Sequence, residues 1–135
     1  MFKNINYLLI IVLLISSCSR GTALAKKKYN IGMEMFASKD FFGAKSSWKI
    51  ACDNRLGMAC YKLGEIQSDI YDEPDRAIDS WKRACELRTP EGCWSVGIHF
   101  EDKRRDFTTA KTYYKKACKL NYPRACVSIS RMESY

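Results

Sequence analysis

Cysteine is the residue type whose spacing most clearly indicates chemistry in this 135-residue chain. Two cysteines eight positions apart on one straight helix would be about 12 Å apart, too far for a disulfide, whereas a chain reversal brings their Cα atoms within bonding range. Each segment between paired cysteines contains turn-forming Asn, Gly or Pro. We therefore predict three disulfides that each join the end of one helix to the start of the next. These are Cys52–Cys60, Cys85–Cys93 and Cys118–Cys126.

Other roles for these cysteines are less compatible with the sequence. Six cysteines allow 15 pairings in principle, but the repeated register selects the near partner in every case. Free buried thiols in a cytosolic repeat protein are the main alternative. A zinc site is disfavoured because the Cys-x7-Cys spacing is not that of close zinc ligands, and the single histidine, His99, has no second histidine beside it. We predict no metal, no cofactor and no catalytic residue.

The cysteine pairs belong to a longer repeat with a period of 33 residues. An aromatic residue, a lysine, an alanine and a cysteine recur in the same order, as in Trp48-Lys49-Ile50-Ala51-Cys52, and return at residues 81–85 and 114–118. A period in this range is typical of a solenoid, in which each unit packs only against its neighbours. We expect the aromatic column of Trp48, Trp81 and Tyr114 to be core rather than a ligand site.

The elements that position these residues are antiparallel helix pairs. The predicted fold is an all-α, disulfide-stapled α-solenoid of about three and a half repeats. Because Gly32 precedes Trp48 by one residue fewer than Gly64 precedes Trp81, we expect a shorter turn in the first pair. The predicted helices are Tyr29–Ser38, Asp40–Cys52, Met58–Ile70, Asp75–Leu87, Gly92–Glu101, Phe107–Leu120 and one from Pro123 that ends by Tyr135. The predicted units are repeats 26–57 (an amino-terminal cap), 58–90 and 91–123 and a capping helix at 124–135.

The amino terminus has the features of an export signal. Residues 1–17 contain Lys3 followed by nine apolar residues, which is too short to span a bilayer. Residues 15–18 resemble a lipobox, which predicts that Cys18 is acylated and that residues 18–25 form a linker. Cleavage after Ala25, in a small-x-small site, is the alternative. Either route leads to an oxidising compartment, where disulfides persist. The predicted location is the periplasm or outer membrane of a bacterium, or the medium if the protein is secreted.

Charge restricts the class of partner. The formal net charge is +8, and basic residues cluster at residues 26–28, 103–105 and 115–119. Nucleic acid is excluded as a partner by export, although such a basic chain would otherwise suggest it. A protein, an anionic cell-envelope polymer or anionic lipid headgroups are the partners that we expect, with a membrane contact through the anchor if Cys18 is acylated.

The repeat motif resembles a known family. Gly64 followed by residues 75–84, Asp-Arg-Ala-Ile-Asp-Ser-Trp-Lys-Arg-Ala, resembles the Sel-one-like repeat, a relative of the tetratricopeptide repeat. The cysteine pairs eight residues apart are similar to those of the Helicobacter cysteine-rich proteins. The resemblance covers residues 25–135 and implies a right-handed α-solenoid with a concave inner surface. It also implies an adaptor or binding role.

The same resemblance suggests a second function. Members of this branch have been described as penicillin-binding proteins with weak β-lactamase activity, which would make a β-lactam or a peptidoglycan fragment the ligand. Ser46 and Lys49 match the Ser-x-x-Lys element of serine β-lactamases, but the Ser-Asp-Asn and Lys-Thr-Gly elements are absent. Chance alone gives about one Ser-x-x-Lys match among twelve Ser and fourteen Lys. The primary prediction is an exported repeat protein that binds a protein or an envelope component.

Overall fold

The computed structural model describes residues 21–134, which are helical throughout apart from short turns. In this part of the chain there are seven α-helices and no strand. The first, α1, covers residues 21–37. The others are α2 (Phe41–Asp53), α3 (Gly57–Asp69), α4 (Pro74–Glu86), α5 (Pro90–Asp102), α6 (Phe107–Lys119) and α7 (Pro123–Glu133).

The helices alternate between two sets. We call α1, α3, α5 and α7 the A helices and α2, α4 and α6 the B helices. From α2 onward each helix packs against the next one along the chain, so the fold is the predicted disulfide-stapled helical repeat. Two hydrophobic clusters form the core, one around Trp48 and Ile66 and the other around Cys93 and Tyr114.

The turns from B to A helices repeat the same backbone geometry. Their central residues, Arg55, Arg88 and Asn121, all have a positive φ between 62° and 66°. The amide of the following residue donates back to the carbonyl five positions earlier, as from Leu56 to Ala51 at 3.1 Å. This is the hydrogen bond of a Schellman motif, which ends a helix and reverses the chain.

Each of these turns carries a disulfide. Cys52 is bonded to Cys60, Cys85 to Cys93 and Cys118 to Cys126, with Cα–Cα distances of 4.6, 4.6 and 4.9 Å. These are the pairs that the repeat register predicts. The chain reversal therefore brings together cysteines that one straight helix would hold far apart.

Small residues let each A helix approach its own B helix closely. A Cβ atom added at Gly32 would lie 2.5 Å from Trp48 Nε1, and Gly64 and Gly97 meet Trp81 and Tyr114 in the same way. The alanines in the two predicted columns are fully buried, and these are Ala44, Ala51, Ala77, Ala84, Ala110 and Ala117. The large aromatic ring thus occupies the space that a Cβ atom would fill if the glycine were any other residue.

The first repeat differs from the prediction in one respect. Residues 21–25, which we predicted as linker, are helical, and α1 begins at least eight residues before Tyr29. Ala25 is only 2 % exposed, so this segment is part of the packed fold. Ala, Leu and Lys are good helix formers, and the small residues that indicated a cleavage site also suit a buried helix. The turn after α1 is one residue shorter than the later A-to-B turns, as predicted.

Candidate functional site

Three grooves lie between consecutive A helices at matching positions of the repeat. The first is between α1 and α3, the middle one between α3 and α5, and the third between α5 and α7. Several residues lining the first groove have counterparts 33 positions later in the middle groove. The pairs are Trp48 and Trp81, Glu65 and Ile98, Ile66 and His99, Asp69 and Asp102, and Ile70 and Lys103. One repeated architecture therefore offers three comparable binding positions with different side chains.

The first groove is mainly apolar. It has a volume of about 290 Å³ and is lined by Met33, Phe36 and Ile70, which are each at least 40 % exposed. Its aromatic residue, Trp48, is buried, and its indole Nε1–H donates to the Tyr29 carbonyl at 3.3 Å. The polar atom of this ring therefore has a partner within the fold.

The third groove is charged, with a volume of about 390 Å³. The hydroxyl of the buried Tyr114 donates to Glu101 Oε2 at 2.6 Å, and Glu101 Oε1 accepts from Arg131 at 2.6 Å. Burial, followed by the hydrogen bond to Glu101, raises the pKa of Tyr114 well above its usual value. The polar atom of this aromatic residue is also paired, and Arg105 on the groove wall adds a positive charge.

The middle groove contains two polar nitrogens without a partner. Trp81 Nε1 and His99 Nε2 are buried, and neither has a hydrogen bond within residues 21–134. Both side chains line a cavity of about 180 Å³ with Ser68, Ser95 and Lys103. Trp81 itself is only partly buried, unlike Trp48 and Tyr114, so the prediction that the whole aromatic column is core is right for two of its three members.

The surroundings of His99 favour its neutral form. Burial lowers the pKa of His99, and the positive charges of Arg104, Lys103 and Lys82 lower it further, whereas Asp75 acts in the opposite direction. At neutral pH the imidazole is therefore uncharged, and it can either donate or accept through Nε2. Trp81 Nε1 can only donate.

His99 is the residue of this groove that sequence reasoning missed. We treated it only as an isolated histidine that could not complete a metal site. Its repeat counterparts are Ile66 and Met132, both of which line neighbouring grooves. A single polar residue in an otherwise apolar column was the signal that could have identified it.

The remaining predicted site residues have different outcomes. Cys18 lies outside the described residues. Ser46 is exposed on α2, and the nearby Lys49 Nζ donates to Asp53 Oδ2 at 2.8 Å. No hydrogen bond joins Ser46 to Lys49 in the described structure.

No family model matches the chain, and no curated protein matches it significantly. In residues 21–134 no group of His, Cys, Asp and Glu is placed to hold a metal ion. No helix in this region is long and apolar enough to cross a bilayer. The three disulfides indicate an oxidising environment.

Proposed function

We propose that this chain is a Sel-one-like helical-repeat protein that binds an extended segment of a partner protein across the grooves between its A helices. The observation that carries the proposal is the pair of unpartnered nitrogens, Trp81 Nε1 and His99 Nε2, in the middle groove. The equivalent polar atoms of Trp48 and Tyr114 are bonded within the fold. The middle groove is therefore the position where the fold leaves hydrogen-bonding capacity for a ligand.

The energetics favour a ligand that supplies an acceptor. A buried polar group without a partner costs about 1–3 kcal/mol. Because the Trp81 indole can only donate, a carboxylate or carbonyl oxygen is the group that would recover this cost. Around His99 the positive charges of Lys103, Arg104 and Lys82 outnumber the negative charges of Asp75 and Asp102, which adds a preference for a carboxylate. Since both nitrogens are buried, a side chain at the groove must move before a ligand reaches them.

The two flanking grooves suggest how the rest of the partner is recognised. Neighbouring packed helices are about 8–10 Å apart, and a peptide in the polyproline II conformation advances about 3.1 Å per residue and presents every third side chain on the same face. Consecutive grooves would therefore accept side chains about three residues apart. An apolar side chain suits the first groove beside Met33 and Phe36, and an acidic one suits the third beside Arg105.

The proposed location is the periplasm or the outer membrane of a bacterium. Acylation at Cys18 is the processing route that we favour. Cleavage after Ala25 would remove the first turns of α1, including a residue that is 2 % exposed. This burial supports processing upstream of the helix.

A peptide panel tests the proposed function. Peptides of fixed length would carry a leucine and, three residues later, Asp, Asn or Ala, and their affinities would be measured by calorimetry. We expect the Asp peptide to bind best and the Ala peptide worst. Trp81→Phe keeps an aromatic ring but removes the donor, and we expect it to weaken Asp-peptide binding roughly tenfold, the equivalent of one hydrogen bond to a charged group.

Two further variants make the panel specific. His99→Met introduces the residue that the next repeat has at this position, so it should fold normally while lowering the preference for Asp. Trp94→Phe is the matched control, because this indole packs on Tyr114 and Tyr122 outside the cavity. The proposal is wrong if no peptide binds, or if Trp94→Phe weakens binding while Trp81→Phe does not.

A further inference from the structure

All three disulfide-linked turns lie at one edge of the repeat, together with the start of α1. Antiparallel helix pairs place every B-to-A turn on the same side. Direct contacts agree, because a Cβ atom added at Gly57 would lie 3.1 Å from Leu87 Cβ in the next turn, and one at Gly21 would lie 3.7 Å from Asn54 Oδ1. We define the disulfide edge as residues 21–28, 47–60, 80–93 and 113–126.

The disulfide edge is strongly basic and the rest of the described chain is acidic. The edge carries twelve Lys and Arg residues against three Asp and Glu residues. The remaining described residues carry nine Lys and Arg against twelve Asp and Glu. The overall positive charge of the chain is thus concentrated on one side of the molecule, which a uniform solubilising surface would not require.

Most of these basic side chains are available to a partner. Asp53 is the acid of this edge that forms ion pairs, with Lys49 at 2.8 Å and Arg83 at 3.1 Å. Eight other basic residues are exposed and form no ion pair with any described residue. These are Lys26, Lys27, Arg55, Arg88, Lys115, Lys116, Lys119 and Arg124. They extend over all three turns and do not converge on one cavity, which fits an extended anionic surface better than a small ligand.

The location of α1 relative to Cys18 indicates what that surface is. Residue 21 begins the described part of α1 at this same edge, and Cys18 precedes it by three residues. Three residues span at most about 11 Å when fully extended. An acyl group on Cys18 would therefore hold the edge about one Debye length from the bilayer, where basic residues are attracted to anionic headgroups.

We propose that the disulfide edge docks on an anionic lipid surface, which would leave the opposite edge of the repeat directed away from the membrane. This inference is independent of the peptide-binding proposal, because no residue that lines the middle groove other than Trp81 belongs to this edge. It depends on the distribution of charge and on the acylation of Cys18, which is part of the proposed function. An anionic polysaccharide is the competing surface, and the experiment separates the two.

Lysine labelling of the purified exported chain tests this inference. The protein would be mixed with vesicles of phosphatidylcholine alone, with vesicles of phosphatidylcholine and phosphatidylglycerol in equal parts, or with a soluble anionic polysaccharide. Acetylation of each lysine is then read by mass spectrometry. We expect Lys115, Lys116 and Lys119 to lose reactivity only with the anionic vesicles, and to regain it in concentrated salt. Lys39 and Lys103, outside the edge, should stay reactive throughout.

Charge reversal supplies the matched control. Lys116→Glu with Lys119→Glu should restore the reactivity of Lys115 on anionic vesicles. Lys103→Glu with Arg104→Glu changes the net charge equally but lies outside the edge, and should leave Lys115 protected. Three results would overturn the inference. Lysines of both edges could be equally protected from acetylation, the edge lysines could be protected on neutral vesicles, or the polysaccharide could protect them while the anionic vesicles do not.

Discussion

Single residues distinguish the middle groove from its neighbours. His99 occupies a repeat position that is apolar in the flanking grooves, and the lowered pKa shows that burial disfavours its charged form. Because the unfolded chain restores the ordinary value of about 6.5, the unfolded state binds this proton more tightly than the folded state. The free energy of unfolding therefore decreases as the pH falls from about 6.5 toward the lower pKa that His99 has in the folded state.

The pH dependence of unfolding tests this assignment. Urea unfolding at pH 7 and pH 5 would compare the native chain with His99→Met. We expect the native chain to lose more stability on acidification, because the variant has no imidazole to protonate and keeps every other titrating group. If both proteins show the same pH dependence, His99 is not buried in its neutral form.

Residue geometry also bears on the β-lactamase alternative. Lys49 Nζ is bonded to Asp53 and not to Ser46, which is exposed. Incubation with a labelled penicillin followed by denaturation should therefore give no covalent adduct and no turnover. A covalent adduct that maps to Ser46 and disappears in Ser46→Ala would show that this motif is chemically active after all.

At the scale of elements, the turns explain why so much of the fold was predictable. Cysteine spacing and turn residues predicted the reversals, and most helix ends lie within two residues of their predicted positions. Proline starts α4, α5 and α7, where its missing N–H costs nothing. The start of α1 was missed because residues 23–25 have two physical interpretations, a cleavage site and a helical segment with a buried alanine.

Removal of a disulfide should affect unfolding differently according to the position of that disulfide in the array of repeats. Replacing both Cys85 and Cys93 with Ala removes about 2.5 kcal/mol of restriction from the unfolded chain in the chain-entropy model. Since repeats interact only with their neighbours, the loss of this middle junction should separate unfolding into two transitions.

The third disulfide, Cys118–Cys126, provides the comparison for the middle one. Replacing Cys118 and Cys126 with Ala should mainly fray α7, because only that helix lies beyond the junction within the described residues. Thermal melts and amide exchange on both double variants would measure the difference. Equal and fully cooperative destabilisation in the two proteins would contradict a linear array and indicate one shared core.

For the whole molecule, sequence periodicity predicted the architecture but not the surfaces on which function depends. Glycine and aromatic columns 33 residues apart predicted how helices pack, since packing repeats with the sequence. The middle groove was not predictable in this way, because the repeat register aligns Trp81 with Trp48 without showing that only Trp48 finds an acceptor for its indole N–H. The basic edge likewise emerges only when antiparallel helices bring sequence-distant lysines to one side.

The indole N–H resonances of Trp48, Trp81 and Trp94 provide the most direct test of the central claim, that the middle groove holds a ligand acceptor. Nuclear magnetic resonance resolves one such signal for each tryptophan, and the Trp81→Phe and Trp94→Phe variants assign them. On titration with the Asp-containing peptide, the account predicts a downfield shift of the Trp81 signal, while the Trp48 signal stays unchanged because its N–H is already bonded to Tyr29. Saturable binding that shifts Trp48 or Trp94 and leaves Trp81 unchanged would contradict it.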